Sequence, residues 1–352
     1  EGRFSGKVAL ITGASRGMGA EIAKKLAAGG AEFIGVHYAS NRDAALIVVE
    51  EVKALGSKAV ALEAELTTGI TGVKKLWAAF EDAVRSEIGS VQLDILINNA
   101  GIAPAIPFEE TSIETFEDVI NVNLKAPYFI TQAASPFIRN GGRIINISTG
   151  FTRVAGPTHS IYSASKGAIE TLTLALAPLF AAKGITVNAV RPGTTATDMN
   201  KDWLANPEAH AEAASMSAFG RVGTTKDVAD VVAFVASEEA RWITGQFIDA
   251  TGELGCKYVA FFFGIASKFT VICLLLSRVS LVWPLEKWSR FNLKRGSACI
   301  RLLSPAPSER NTMGLYLILK VEWSRSVHSI RTVIADGVSL RSKSRWPQHS
   351  SP

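Results

Sequence analysis

The sequence predicts an α/β fold: a doubly wound parallel sheet in three α/β/α layers, forming a single domain. Three observations carry that expectation. Apolar β-branched runs alternate with amphipathic stretches through the first 250 residues, an order that gives parallel strands covered by helices on both faces. A glycine cluster, "TGASRGMG", sits where the first run gives way to the first amphipathic stretch. The alternation then stops after Gly252.

The elements follow in order. "KVALIT" (7–12) is the first strand, and residues 18–29 form a helix closed by Gly29-Gly30. "AEFIGVHY" (31–38) is the second strand, followed by a helix over 42–55 that Gly56 ends. "KAVALEAEL" (58–66) comes next, then a helix from Gly72 to Glu87. "LDILINNAG" (93–101), "GGRIINIS" (141–148) and "ITVNAVRPG" (185–193) read as buried strands, and "QFIDATG" (246–252) is the last. Short apolar runs between glycine-rich punctuation are the strand signal; helical spacing marks the rest.

At 352 residues and 47% apolar, the chain can bury a sizeable core. Its net charge of +5 joins two unlike parts. Residues 1–254 carry 22 Lys and Arg against 28 Asp and Glu, while 255–352 carry 15 against 4. Basic character therefore belongs to the tail alone, and no nucleic-acid partner is expected for the domain. Cys256, Cys273 and Cys299 also lie in the tail, and the five histidines show no ligand spacing. No metal site is expected. The chain opens at Glu1 without a charged-then-apolar leader, so a cytoplasmic setting is the expectation; the missing initiator Met points to sequence upstream.

The expected division is 1–254 as the domain and 255–352 as a C-terminal extension, poorly ordered or non-native. "YVAFFFGIASKFTVICLLLSRVSLVW" (258–283) is apolar but broken by Lys268 and Arg278. Its longest uncharged stretch, Tyr258 to Ser267, falls well short of the roughly 20 residues a spanning helix needs. Translated non-coding or frame-shifted sequence ranks first, a membrane anchor second, and a basic tail for acidic membranes or RNA third.

The glycine turn carries the first functional signal. Gly13, Gly17 and Gly19 let the chain turn tightly, let backbone N–H groups approach a pyrophosphate, and let helix pack on strand. Their spacing is G-x-x-x-G-x-G. An acid about 20 residues further on would bind the ribose 2′-OH of NAD. Here Tyr38, Ala39, Ser40 and Asn41 supply none, whereas Ser40, Asn41, Arg42 and Arg16 supply donors and cations. NADPH is expected over NADH, unless Arg16 and Arg42 are simply solvated and Asp43 takes the ribose. Asn98-Asn99-Ala100-Gly101 ends the fourth strand, with Gly101 allowing close cofactor approach.

"IYSASKGAIE" (161–170) places Tyr162 and Lys166 four apart, on one helix face with Cβ atoms roughly 5–6 Å apart. A free tyrosine has a pKa near 10. An ammonium at about 5 Å, with an effective dielectric near 20, offers roughly 3 kcal/mol toward lowering it. That pairing makes an acid/base catalyst.

With "TGASRGMG", "NNAG", "NVNL", "INIST", "YSASK" and "RPG" in this order, the segment from Gly6 to Gly252 resembles the short-chain dehydrogenase/reductase family, in its 3-oxoacyl-carrier-protein reductase-like branch. The resemblance implies a Rossmann-type fold, a nicotinamide cofactor and interconversion of a small-molecule carbonyl with its alcohol. It implies Tyr162 as proton donor, and Lys166 lowering its pKa and bonding the nicotinamide ribose. Asn123 matches the relay asparagine that holds a water near the lysine, with Asn121 as the alternative register. The carbonyl-polarising hydroxyl falls on Thr149 by position, with Ser148 retained as the alternative. Cofactor contacts are implied for Gly13, Ser15, Arg16, Gly17, Met18, Gly19, Tyr38, Ser40, Asn41 and Arg42. They continue at Glu65, Leu66, Asn99, Ala100, Gly101, Tyr162, Lys166, Pro192, Gly193, Thr195 and Thr197.

Met199, Trp203, Met216 and Phe219, with Ile102, Phe151 and Val154, form either the walls of an apolar pocket under a lid or ordinary core. His159 reads as a loop residue. Pro178 interrupts the helix that carries Tyr162 and is expected to kink its end. In the family that helix packs on a second subunit, so Pro178 and the tail both count against a homodimer or homotetramer.

Overall fold

The computed structural model describes residues 2–252 and, beyond them, the backbone of 292–295, 298–303 and 318–323. Seven strands form one sheet: β1 (Val8–Ile11), β2 (Phe33–Tyr38), β3 (Lys58–Glu63), β4 (Leu93–Asn98), β5 (Ile138–Ile147), β6 (Thr186–Pro192) and β7 (Phe247–Ala250). Their order is β3-β2-β1-β4-β5-β6-β7, and every neighbouring pair is parallel. The chain reverses winding direction between β1 and β4, and crevices of this kind open at the strands' carboxyl ends.

The helices are α1 (Gly17–Ala28), α2 (Arg42–Ala54), α3 (Ile70–Ile88), α4 (Ile113–Ile120), α5 (Ala126–Ala134), α6 (Ser160–Phe180), α7 (Lys201–Leu204), α8 (Pro207–Ser215) and α9 (Thr225–Val235). Strand residues alternate between the two faces. Ala9 and Ile11 of β1 join a core with Ile22 and Leu26 of α1 and Val228 and Val232 of α9. Val8 and Leu10 join the opposite core with Leu76 and Phe80 of α3 and Ile130 of α5. These two apolar layers around one parallel sheet are the three-layer Rossmann-type arrangement.

Several boundaries differ from those the sequence suggests. β3 stops at Glu63, because Glu65 accepts a hydrogen bond from Thr67 N and opens a 3₁₀ turn over Leu66–Thr68. β5 starts at Ile138 rather than Gly141, its pairing with β4 slipping between Leu93 and Ile95, where Gly141 takes φ +76°. A π-helical turn, Asn121–Lys125, joins α4 to α5. Pro178 lies inside α6, which continues past it and ends two residues later at Phe180. A proline there forgoes one hydrogen bond of the last turn and leaves the Tyr162 end untouched.

Beyond residue 252, β8 (Asn292–Arg295), β9 (Ala298–Leu303) and β10 (Ile318–Trp323) form a three-stranded antiparallel sheet. The three readings of the tail fall mainly on residues 253–291, 304–317 and 324–352, outside the described residues. Among the described residues no helix is long and apolar enough to cross a membrane.

Candidate active site

The site assembles where β1, β2, β4, β5 and β6 end. In the β1–α1 turn, Gly13 and Gly17 adopt φ of +62° and +58°, the left-handed region that glycine enters without penalty. Gly19 has a different reason: a Cβ there would lie 2.3 Å from the Gly13 carbonyl oxygen and 2.6 Å from Asn99 Nδ2. Asn99 Nδ2 donates to the carbonyls of Thr12 (2.8 Å) and Gly13 (2.9 Å), while Asn99 N and Ala100 N both donate to Thr12 Oγ1. The end of β4 is thereby laced to the glycine turn. Asn99 Oδ1 is buried with no protein partner. Met18 packs against the core beside α1, Ser15 is half-buried, and Arg16 is exposed with Nε 4.0 Å from Asp198.

At the ribose end, the predicted residues divide. Ser40 and Arg42 are exposed at the tip of β2. Asn41 uses its side chain to cap α2, accepting from Ala44 N. The Tyr38 ring is buried in the core and its hydroxyl donates to Glu63 (3.4 Å). Glu65 caps its own 3₁₀ turn, and Leu66 is core. The Tyr38 ring and the Leu66 side chain are therefore turned into the core, while Glu65 is exposed with one carboxylate oxygen spent on its own turn. Pro192 and Gly193 close β6, where a Cβ on Gly193 would meet the Thr251 carbonyl at 2.9 Å. The Thr195 hydroxyl is spent on the Gly193 carbonyl. Thr197 stands beside Gly17, its Cγ2 3.6 Å from where a Gly17 Cβ would be.

The catalytic candidates come together around the start of α6. The Thr149 hydroxyl stands near enough to Tyr162 to act on its phenol, and its Oγ1 accepts from Phe151 N (3.3 Å). Lys166 is 3% exposed; its Nζ donates to the Ile147 carbonyl (2.7 Å) and lies 5.9 Å from the Tyr162 ring centre. A Cβ on Gly101 would be 3.3 Å from Lys166 Nζ and 3.4 Å from Asn123 Oδ1, so only glycine leaves this corner open. Asn123 is fully buried. It accepts from Ile102 N and donates to Ile102 O and Ser165 Oγ, so both of its side-chain donors are taken by protein groups. Asn121, the alternative register, turns away: it donates to Thr67 O and accepts from Lys125. Ser148, the alternative hydroxyl, also turns away and donates to Glu170 (2.7 Å).

Electrostatics in this corner run against one expectation. The Tyr162 phenol is not lowered in the chain alone. Burial raises it above its usual 10, and the Thr149 hydroxyl only partly opposes that. Burial also brings Lys166 down to about 8. Desolvation penalises both charged forms, and the ammonium faces the tyrosine ring while bonding to a carbonyl. At neutral pH the pair is thus a protonated phenol beside a mostly charged lysine.

Two residues, His37 and Glu170, escaped the sequence reading, and His159 has ring partners it did not foresee. His37, fully enclosed at the end of β2, accepts from Gly13 N through Nδ1 (2.9 Å), and its Nε2 bonds Ala64 O (3.0 Å). Since Gly13 N–H donates to Nδ1, the Nε2 carries the proton, and burial holds the ring neutral with a pKa of about 4. Glu170 gathers three donor residues from two segments, Ser148 and Thr152 after β5 and Arg191 in β6. His159 stacks on Phe151 with ring centres 4.9 Å apart and meets Tyr162 edge-on. Spacing gives no hint of the His37 and Glu170 partnerships, because each joins elements distant in sequence. Met199, Trp203 and Phe219 are exposed, which excludes core packing for them. Among the described residues no cluster of His, Cys, Asp and Glu has the makings of a metal site.

Comparison with known proteins agrees with this architecture. The family model described as enoyl-(acyl carrier protein) reductase matches residues 13–252. An uncharacterized oxidoreductase of Methylorubrum extorquens is 39% identical over 71% of this chain and 98% of its own length. A versicolorin reductase of Emericella nidulans is 40% identical over 71% of this chain and 96% of its own. The crystal structure of the angucycline C-6 ketoreductase LanV with bound NADP superposes with a TM-score of 0.69. It is 44% identical, covering 72% of this chain and 96% of that one. With a parallel seven-stranded sheet, a glycine turn laced to β4, and Tyr162 and Lys166 on one face of α6, the chain belongs to the short-chain dehydrogenase/reductase family of oxidoreductases.

Proposed function

We propose that the chain reduces a ketone to a secondary alcohol with NADPH, Tyr162 supplying the proton. One observation carries this reading: a half-buried, protonated phenol beside Thr149 with an ammonium over its ring. Two hydroxyls within bonding reach of each other can both bond one carbonyl oxygen. Thr149 then polarises the carbonyl, and the Tyr162 proton passes to the oxygen as hydride reaches the carbon. Lys166 steadies the phenolate that remains. A phenol held above its usual pKa is in the donor form at neutral pH.

The residues present fit a dinucleotide. The glycine turn leaves room that a Cβ would fill, and Asn99 Oδ1 is a buried acceptor awaiting a donor. The bound nicotinamide would supply the hydride. Lys166 sits where it can bond the ribose, and Ser40, Arg42 and Arg16 are exposed groups suited to a 2′-phosphate. The LanV structure contains NADP, in line with NADPH here.

For the substrate, the stacked rings of Phe151 and His159 and the exposed Met199, Trp203 and Phe219 suit an apolar ketone with a planar ring. Exposed Leu174 and Leu179 on α6 suit a homodimer or homotetramer. A domain without cysteine through residue 252 suits a cytoplasmic setting. The test is ketone-dependent consumption of NADPH and NADH across aliphatic 3-oxoacyl and ring ketones. Turnover with NADPH at least tenfold above NADH supports the reading; no turnover with any ketone overturns it.

A further inference from the structure

Glu170 lies one helical turn beyond Lys166 and is 8% exposed. Its Oε1 accepts from Ser148 Oγ (2.7 Å), Thr152 Oγ1 (2.8 Å) and Arg191 Nε (2.7 Å), and its Oε2 accepts from Arg191 Nη2 (2.7 Å). Burial works against this charge, and the bonds from Arg191, Ser148 and Thr152 outweigh it. Arg191 is held from its other side by Asp249 (3.7 Å) and by the face of Phe247. Asp249 also pairs with Arg153.

The geography of these bonds is the point. Ser148 and Thr152 flank Thr149 in the loop after β5, where Thr149 N-caps a 3₁₀ turn over Gly150–Thr152. Arg191 directly precedes Pro192-Gly193. Glu170 itself rides on the helix that carries Tyr162 and Lys166. One buried carboxylate therefore ties together three segments, and each of them bears residues of the site. It also captures the hydroxyl of Ser148. Adjacent residues near a strand end point to opposite sides, so holding Ser148 toward Glu170 turns Thr149 toward Tyr162.

We infer that Glu170 is the positioning residue of this site: by clamping Ser148 and Thr152 it presents the Thr149 hydroxyl to Tyr162 and decides which of two adjacent hydroxyls meets the substrate carbonyl. The inference rests on the reading of Thr149 as the polarising donor. It gives Glu170 no contact with substrate or cofactor. A fully satisfied buried carboxylate rigidifies what it bonds, and removing it frees the loop while Arg191 stays tied to Asp249.

The test is a double-mutant cycle on the full chain. Thr149→Ala, Glu170→Ala and the pair are compared in kcat for the best ketone, with the NADPH dissociation constant and melting temperature measured alongside. Thr149→Ala alone lowers kcat by about 10²-fold, as loss of one preorganised donor does. Glu170→Ala alone lowers kcat by about tenfold or more, the scale of coupling between neighbours, while the NADPH dissociation constant moves less than about threefold. Adding Thr149→Ala to Glu170→Ala then costs less than about threefold, because the hydroxyl is no longer aimed. Glu170→Gln keeps an acceptor for Ser148 and Thr152 and recovers most of the activity; Ser148→Ala with Thr152→Ala, which breaks the clamp but leaves the Glu170–Arg191 pair, serves in the cycle if Glu170→Ala does not fold.

If Thr149→Ala costs the same in both backgrounds, Glu170 is a stability residue and the inference is overturned while the role of Thr149 stands. If Thr149→Ala alone is harmless, the role of Thr149 falls and the inference with it. A loss of activity in Glu170→Ala explained wholly by weaker NADPH binding also overturns it.

Discussion

At the scale of single residues, burial decides protonation. Lys166 has a pKa of about 8, and its charged form is the one that steadies a phenolate. Ketone reduction at saturating NADPH is therefore flat near neutrality and falls about tenfold per unit well above pH 8 as the ammonium loses its proton, read from a kcat profile. His37 gives a stability prediction of definite sign. Its folded pKa is about 4, against roughly 6.5 in the unfolded chain. The unfolded state binds more protons between those values. Stability is thus complete above about pH 6.5 and is lost as pH falls toward 4, by about 3 kcal/mol in all. Thermal melts of the wild type and His37→Asn between pH 7 and 4.5 check this: the variant melts lower at pH 7 and shows a shallower acid slope.

Much of the residue-level site was legible. The spacing of Tyr162 and Lys166, the glycines and the Asn99-Ala100-Gly101 end of β4 all occupy one place. The direction of the tyrosine shift was not legible, since a spacing of four reveals proximity of charge but not desolvation. Nor were His37 and Glu170, whose partners stand 24 to 27 and 18 to 22 residues away.

At the scale of elements, the glycine turn depends on close approach as much as on dihedral freedom. Gly19→Ala places a Cβ 2.3 Å from the Gly13 carbonyl oxygen. Such overpacking costs about 1–3 kcal/mol, and the turn must shift to relieve it. The variant is expected to melt lower and to bind NADPH at least tenfold more weakly, by thermal melt and by fluorescence titration. Strands were legible because buried parallel strands are continuous apolar runs. Their ends were less so, because the turns that stop them, such as the Glu65 cap, use side chains that look alike in sequence. The π turn at Asn121–Lys125 left no periodic trace at all. Pro178 was legible as a helix breaker, but its distance from the helix end was not.

At the scale of the whole molecule, the sheet order puts the ends of β1 and β4 side by side, with the glycine turn after one and Asn99-Ala100-Gly101 after the other. The change in composition after Gly252 coincides with the end of the family match. The proposed ketone reduction is accordingly expected to need only the part of the chain that ends with the family match. A chain truncated after Gly252 is expected to keep kcat within about threefold of the full chain, the range left to local fraying of the new terminus; loss of the activity would assign the C-terminal region a part in it.

The most direct test is replacement of the Tyr162 hydroxyl. Tyr162→Phe preserves the ring that faces Lys166, Phe151 and His159 and removes only the proton donor. NADPH consumption with the best ketone is expected to fall by about 10²–10⁴-fold in kcat, with NADPH binding within threefold of the wild type. Undiminished turnover by a Tyr162→Phe enzyme that binds NADPH normally would contradict the account.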